Sequence, residues 1–300
     1  MLYLIDSSIY VFRGWQSFPK TLTNTRDEPF NAVMGFTTMI ASLIRSEKPI
    51  AIAAAFDSRN RQAIRYRIHP EYKANRSPSP PELATQFSQC QAVCEAFGIC
   101  TLVNPEVEAD DLIGHLSNLA HEQTQPVTII SADKDLVQFI GKHDIFWDYA
   151  RKTQSSYMQL SKRFGVAPEQ IADLLALCGD KTDNIPGVPG VGPRTAARVL
   201  SKWGDLDAVF ANIDGIASMR FRGAAHVALL ISEHETTVRL ARQLTGLVTT
   251  PDLPSTLELT HYQPPSLSHC VQALVSVGFS ETDATSFAAD AGLVDKPRAS

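Results

Sequence analysis

The sequence predicts an α/β fold, a central and mostly parallel sheet followed by a helical region. Three observations carry this. Five short apolar runs recur in the first half: Leu2–Ile5, Ile50–Phe56, Ile99–Val103, Val127–Ser131 and Ile145–Trp147. Amphipathic stretches lie between them, near Asn31–Ser46, Glu82–Phe97 and Asp110–His121. Beyond about Phe164 the strand signals fade and helical patterns dominate. Continuous apolar runs separated by helices are the pattern of a parallel sheet covered on both faces.

Taken in order, the first run closes on Asp6 and the second on Asp57. The segment 59–81 then interrupts the alternation. It is basic, with six Lys or Arg and one acid between Arg59 and Arg76, and it ends in Ser77-Pro-Ser-Pro-Pro81. It is too long for an ordinary connection, and such loops are often functional. Glu108, Asp110 and Asp111 mark the start of the third helix, and Asp133 and Asp135 follow the fourth run. Residues 168–178 read as a helix with Pro in its first turn. A Gly- and Pro-dense segment, Gly179–Gly192, carries Asp180 and Asp183 and leads to a helix over Arg194–Lys202. The last part contains four prolines between 251 and 265 and a helical pattern over Leu267–Val277. The expected division is 1–160 for the α/β unit, 161–250 for the helical unit and 251–300 for a C-terminal extension without an assigned role.

The placement of the acids is the informative feature. In open α/β sheets ligands sit outside the carboxyl ends of the strands. Parallel strands would bring Asp6, Asp57, Asp133 and Asp135 to one edge, where the acids at 108–111 and 180–183 can join them. Each acid alone has a plainer reading, as a turn residue, a helix cap or a helix N-terminal charge. That account must then hold independently at five sites. Nine carboxylates in one pocket repel one another unless cations are present. Oxygen-only ligation points to Mg²⁺ or Mn²⁺ rather than zinc, and two such ions can clamp both oxygens of a phosphodiester displacement.

Bulk properties agree. The net charge is −5, but without those nine acids it would be +4, so a nucleic-acid partner is compatible with the rest of the chain. The five cysteines are odd in number and form no C-x-x-C pair, so buried thiols are expected rather than zinc or a disulfide framework. No apolar run reaches membrane-spanning length and the first residues do not read as a signal peptide, so a cytoplasmic protein is expected.

With these residues in view, the chain resembles the 5′-nuclease (flap endonuclease) superfamily in its bacterial and phage branch, which includes the 5′→3′ exonuclease domain of bacterial DNA polymerase I. Glu108-Ala-Asp-Asp111, Asp133-Lys-Asp135 and Gly179-Asp-Lys-Thr-Asp-Asn-Ile-Pro-Gly187 match its signatures, and the likeness runs from Asp6 to about Leu244. Ser7 and Ala132 stand where the family commonly has glycine. The resemblance implies a PIN-like nuclease domain followed by a helix–hairpin–helix region that binds DNA. It implies one Mg²⁺ held mainly by Asp6, Asp57, Glu108 and Asp110, and a second by Asp133, Asp135, Asp180 and Asp183, with Asp111 nearby; Mn²⁺ can substitute.

The resemblance also aligns segment 59–81 with an arch that admits the single-stranded 5′ end. Lys73, Arg76 and Arg13 then fall near the scissile phosphate, and Tyr72 is placed to stack on a base. Gly187, Val188, Gly190, Val191, Gly192, Arg194, Thr195 and Arg198 fall in the hairpin that grips the duplex, where some relatives also bind a monovalent cation, often K⁺. The expected partner is DNA with a 5′ flap, a nick or a free 5′ end, cut by a monomer in replication and repair. No polymerase or proofreading pattern follows, so a stand-alone nuclease is expected. The alternatives are a PIN-like ribonuclease and a non-catalytic binder of branched DNA.

Overall fold

The computed structural model describes residues 1–58 and 63–294. Arg59 and Arg61 of the basic segment lie outside the described residues. The elements are β1 (Leu2–Asp6), α1 (Ser7–Ser17), α2 (Asn31–Glu47), β2 (Ile52–Asp57), α3 (Ile64–Ile68), α4 (Pro81–Ala96), β3 (Cys100–Asn104), α5 (Ala109–Glu122), β4 (Val127–Ile130), β5 (Ile145–Asp148) and β6 (Thr153–Ser156). The helical part follows as α6 (Tyr157–Phe164), α7 (Ile171–Cys178), α8 (Pro193–Trp203), α9 (Leu206–Ala211), α10 (Ile213–Ala217), α11 (Ala224–Glu233), α12 (Glu235–Thr245), α13 (Leu267–Val277) and α14 (Glu281–Asp290).

The sheet order is β3-β2-β1-β4-β5-β6. Every pairing is parallel except β5 with β6. β1 therefore has β2 on one side and β4 on the other, so the order reverses there. The crevice beyond the carboxyl ends at such a switch point is where open α/β sheets bind ligands. β6 is polar, exposed and lies at the sheet edge, so it carries no apolar signal in the sequence. Residues 168–170 form a 3₁₀ turn before α7, not the first turn of a continuous α-helix.

Both faces of the sheet are buried, which is why its strands are apolar at successive positions. Leu2, Leu4, Ala53, Val127 and Ile129 face one core, shared with α5 and the helices from α7 to α12. Ile5, Ile52, Ala54, Phe56 and Ile130 face the other, under α1, α2 and α4. The residues after 251 do not form a detached tail. Cys270, Leu274, Val277 and Phe279 join this second core, and the Phe279 ring meets Phe30 edge-on at 4.7 Å between centroids. Arg26 donates to the Val277 carbonyl at 3.0 Å.

Cys90, Cys94 and Cys270 are buried, and all five cysteines are free. Among the described residues no helix is long and apolar enough to cross a membrane.

Candidate active site and nucleic-acid interface

The acids singled out above gather where the fold directs them. Asp6 ends β1 and Asp57 ends the adjacent β2. Asp133 and Asp135 follow β4, on the other side of β1. Ser131, which no signature in the sequence singled out, ties these together: its hydroxyl donates to Asp6 at 2.7 Å and accepts from the Asp133 amide at 2.9 Å. The Ala109 amide at the start of α5 donates to Asp57 at 3.0 Å and draws the Glu108–Asp111 turn to the same edge.

Electrostatics separates these acids into two groups. Burial, together with Asp57 and Asp133, pushes Asp6 up to about 7. Burial and the neighbouring Asp133 and Asp6 raise Asp110 well above its usual range. Asp135 is pushed up to about 7 by burial and by Asp133. The Asp135 Oδ1 atom is buried and accepts no hydrogen bond, although Lys134 Nζ lies 3.2 Å away. Among the described residues no Lys or Arg lies within ion-pairing distance of Asp6, Asp57, Asp110 or Asp133.

The other acids have cations beside them. Glu108 accepts from Lys73 at 2.6 Å and Tyr72 at 2.8 Å, with Arg65 3.3 Å away. Burial opposes its ionisation, but Lys73 and Arg65 hold it below the usual carboxylate range. Lys134 donates to Asp180 at 2.6 Å. Burial also opposes the ionisation of Asp180, yet Lys134 and the Thr182 amide keep it low. Asp183 pairs with Arg76, accepts from Tyr72 at 3.3 Å and lies 3.6 Å from Lys73 Nζ.

Asp111 corrects the expectation that it joins a metal group. It is fully buried, and its oxygens accept from Arg65 on both sides, from the Glu108 amide at 3.0 Å and from the Val248 amide at 2.8 Å. Its partner Arg65 also donates to the carbonyls of Leu244 at 2.7 Å and Gly246 at 2.8 Å. This buried pair fastens segment 63–81 and the start of α5 to the end of α12. Sequence reading missed Arg65, because nothing local distinguishes it from the exposed Arg67 two residues later.

The donor set fits hard divalent cations in chemistry: carboxylate oxygens only, several of them mutually destabilised, one an orphaned buried acceptor. Among the described residues no three such side chains already close around a common point.

Segment 63–81 is a strap held against this edge. The Lys73 amide donates to the Asp183 carbonyl at 2.9 Å, Asn75 to the Lys181 carbonyl at 2.7 Å, and Asn184 returns a bond to the Glu71 carbonyl at 2.7 Å. Tyr72 corrects a second expectation. Its ring is 3% exposed, packs on Tyr66 and is covered by Lys73, so it cannot stack on a base. A cavity of 770 Å³ lies under residues 76–80, walled by Phe12, Trp15 and Phe87 and reaching Asp57, Lys73 and Glu108. Phe12 is exposed beside this cavity and meets Phe87 edge-on at 5.4 Å, and Lys20 lies 5.7 Å over the Trp15 ring. Arg13 is exposed on α1, without an ion-pair partner among the described residues.

The turn between α7 and α8 is built on close backbone contact. An added Cβ on Gly187 would lie 2.2 Å from the Gly179 nitrogen, so only glycine fits. Gly190 has φ +81°, which favours glycine. The Val188 and Val191 side chains are buried and their amides bond the Leu177 and Val188 carbonyls. The Thr195 amide bonds the Gly192 carbonyl at 3.0 Å. Among the described residues, the amides of Gly190, Gly192 and Arg194 have no acceptor. Gly192, Arg194 and Arg198 are exposed beside them.

Residues 1–165 match the family described as 5′-3′ exonuclease, N-terminal resolvase-like domain, and residues 166–268 that described as 5′-3′ exonuclease, C-terminal SAM fold. The chain is 37% identical over 274 residues to DNA polymerase I of Mycobacterium tuberculosis, covering 89% of this chain and 29% of that protein. It is 35% identical over 211 residues to a 5′-3′ exonuclease of Aquifex aeolicus, covering 70% and 72% of the two chains. Among solved structures, bacteriophage T5 5′-exonuclease with bound zinc aligns over 97% of both chains with a TM-score of 0.65 at 21% identity. The catalytic core of Rad2 in complex with DNA substrate aligns over 96% of this chain and 92% of that one, with a TM-score of 0.61 at 16% identity. At those identities the structural likeness concerns the fold.

Proposed function

This chain belongs to the 5′-3′ exonuclease family, and on that premise we propose that it hydrolyses DNA phosphodiester bonds at free or branched 5′ ends. It spans under a third of the polymerases it resembles, so the activity is proposed for this segment as such. One observation carries the reading: acids from separate segments meet at the switch point of a parallel sheet, and four of them have no protein cation within pairing distance among the described residues.

The proposed cofactor is a pair of divalent ions, Mg²⁺ with Mn²⁺ as substitute. One is held by Asp6, Asp57, Glu108 and Asp110, the other by Asp133, Asp135, Asp180 and Asp183. Bound there, such ions supply activation of water and stabilisation of the leaving 3′ oxygen.

The rest of the work falls to the chain. Lys73 and Arg76 stand on two of the acids and are placed to take up charge on the scissile phosphate. Arg13 adds a third positive charge from α1. The cavity under the strap takes the single-stranded 5′ portion, with Phe12 and Trp15 stacking on bases of any identity. The free amides of Gly190, Gly192 and Arg194, with the side chains of Arg194, Thr195 and Arg198, grip the duplex backbone. A K⁺ ion at the same turn belongs to this reading. Residues 1–160 act as the nuclease unit and 161–250 as the duplex grip, in a cytoplasmic monomer serving replication and repair.

The test uses end-labelled 5′-flap, nicked and single-stranded DNA, with matched RNA flaps, in Mg²⁺ and in chelator. Metal-dependent release of 5′-phosphorylated products from the DNA flap is expected. Cutting that persists in chelator, or is confined to RNA, overturns the proposal.

A further inference from the structure

The hairpin before α8 is one of two basic stretches that the helical region turns outward. Residues 184–204 contain Arg194, Arg198 and Lys202 and no Asp or Glu. Residues 215–232 contain Arg220, Arg222 and His226 and, again, no acid. The chain between them carries Asp205, Asp207 and Asp214. Acids are thus present in this region but kept out of both stretches.

The fold joins the two. The Arg198 guanidinium lies over the Phe221 ring, 6.0 Å from its centroid. The Leu230 side chain of α11 lies against Gly190, 3.6 Å from where a Cβ would stand. Residues 218–223 form the loop from α10 to α11, and Gly223 turns it with φ +83° into open space. Arg220 and Arg222 flank Phe221 and are exposed.

Two other arginines of this region are neutralised by carboxylates. Arg239 pairs with Asp207 at 3.0 Å and Glu235 at 2.8 Å, and Arg242 pairs with Asp173 at 2.6 Å. Among the described residues Arg194, Arg198, Arg220 and Arg222 have no carboxylate within pairing distance. These four exposed arginines, carried by two stretches without acids, leave their charge available to an external polyanion.

We propose that Arg220 and Arg222 form a second phosphate-contact point beside the hairpin, so that the downstream duplex is held along its backbone and not at the hairpin alone. The partner is the sugar-phosphate backbone of a duplex, without base readout. This rests on the nuclease reading for the identity of the duplex.

The experiment measures binding of 5′-flap DNA with a short or a long downstream duplex, by fluorescence anisotropy over a salt series, for the parent and for Arg220→Gln with Arg222→Gln. On the long duplex the slope of log affinity against log salt is expected to fall in magnitude by about 2 in the double variant, since each lost contact removes about 0.9. On the short duplex parent and variant are expected to agree. Arg45→Gln, on α2 beside Asp290, is expected to leave the slope as it is. Equal slopes for parent and double variant on the long duplex overturn the second contact point and leave the nuclease reading standing. An equal loss on single-stranded DNA overturns the duplex assignment. A parent without salt-dependent binding overturns both proposals.

Discussion

Glu108 and Asp110 stand two residues apart at the start of one helix, yet their surroundings drive them in opposite directions. Glu108 has Lys73, Arg65 and the Tyr72 hydroxyl around it and is held below the usual range despite burial. Asp110 faces Asp133 and Asp6, and burial together with those neighbours raises it far above that range. The same contrast divides the whole edge. Glu108, Asp111, Asp180 and Asp183 are neutralised by the protein's own Lys73, Arg65, Lys134 and Arg76. Asp6, Asp57, Asp110 and Asp133 have no such partner among the described residues. An acid beside a fixed cation contributes to the fold, whereas clustered acids without one cost stability until a cation arrives from solution.

The strongest way to break this comparison is to remove one acid from each side. Asp133→Ala, on the unpartnered side, is expected to slow single-turnover cutting by about 10⁴-fold, roughly 5.5 kcal/mol. DNA affinity measured by anisotropy should persist. Retained cutting removes Asp133 from the reactive group. On the partnered side, Arg65→Met leaves the buried Asp111 charge alone and is expected to destabilise the fold by about 3–5 kcal/mol in urea unfolding. Arg65→Met combined with Asp111→Leu should recover only the part due to the unpaired charge, because the Leu244 and Gly246 carbonyls and the Glu108 and Val248 amides stay without a side-chain partner. A single variant as stable as the parent shows that the pair does not fasten the strap.

A smaller effect sharpens the contrast through pH. Asp6 and Asp135 sit at about 7 in the folded chain against an ordinary 3.8. Folding therefore favours their protonated forms. Their contribution is most favourable below about pH 4 and is lost as pH rises towards 7, on the order of 4 kcal/mol per group. Metal-free protein should melt at a lower temperature at pH 8 than at pH 5.5, and Mg²⁺ should restore more at pH 8. A melting temperature indifferent to pH and to Mg²⁺ breaks the account of these two raised acids.

The smallest expected effect concerns Lys134, which stands 2.6 Å from Asp180 and 3.2 Å from Asp135. Lys134→Met removes a resident cation and is expected to tighten the weaker Mn²⁺-binding step about tenfold, ~1.4 kcal/mol, read by electron paramagnetic resonance titration. Weaker binding in the variant makes Lys134 a structural partner instead of a competitor.

Legibility followed the range of the interaction. The five apolar runs and the long helices were readable because strand and helix periodicities repeat within a few residues. The edge strand β6 escaped, since a polar strand at the rim buries too little to leave a pattern. The acids could be read as one group because seven of them close a strand or stand at the start of a helical turn, and Asp180 and Asp183 follow a helix in a Gly- and Pro-dense turn. Their division into partnered and unpartnered sets could not, because Arg65 reaches Asp111 across 46 positions and Arg76 reaches Asp183 across 107. Tyr72 shows the same limit: an aromatic in a basic segment suggests base stacking, and only the packing reveals a buried ring hydrogen-bonded to two acids.

The amino-acid order by itself determined the α/β pattern, the strand-end positions of the carboxylates and the glycine-built turn before α8, because these depend on local period, strand direction and backbone freedom. Tertiary structure alone decided which carboxylates meet a protein cation, which aromatic faces stay open, and that residues 267–290 complete the second core. Those outcomes depend on distances between segments remote in the chain, and a charge or ring acquires its energetic meaning only from what the fold sets beside it.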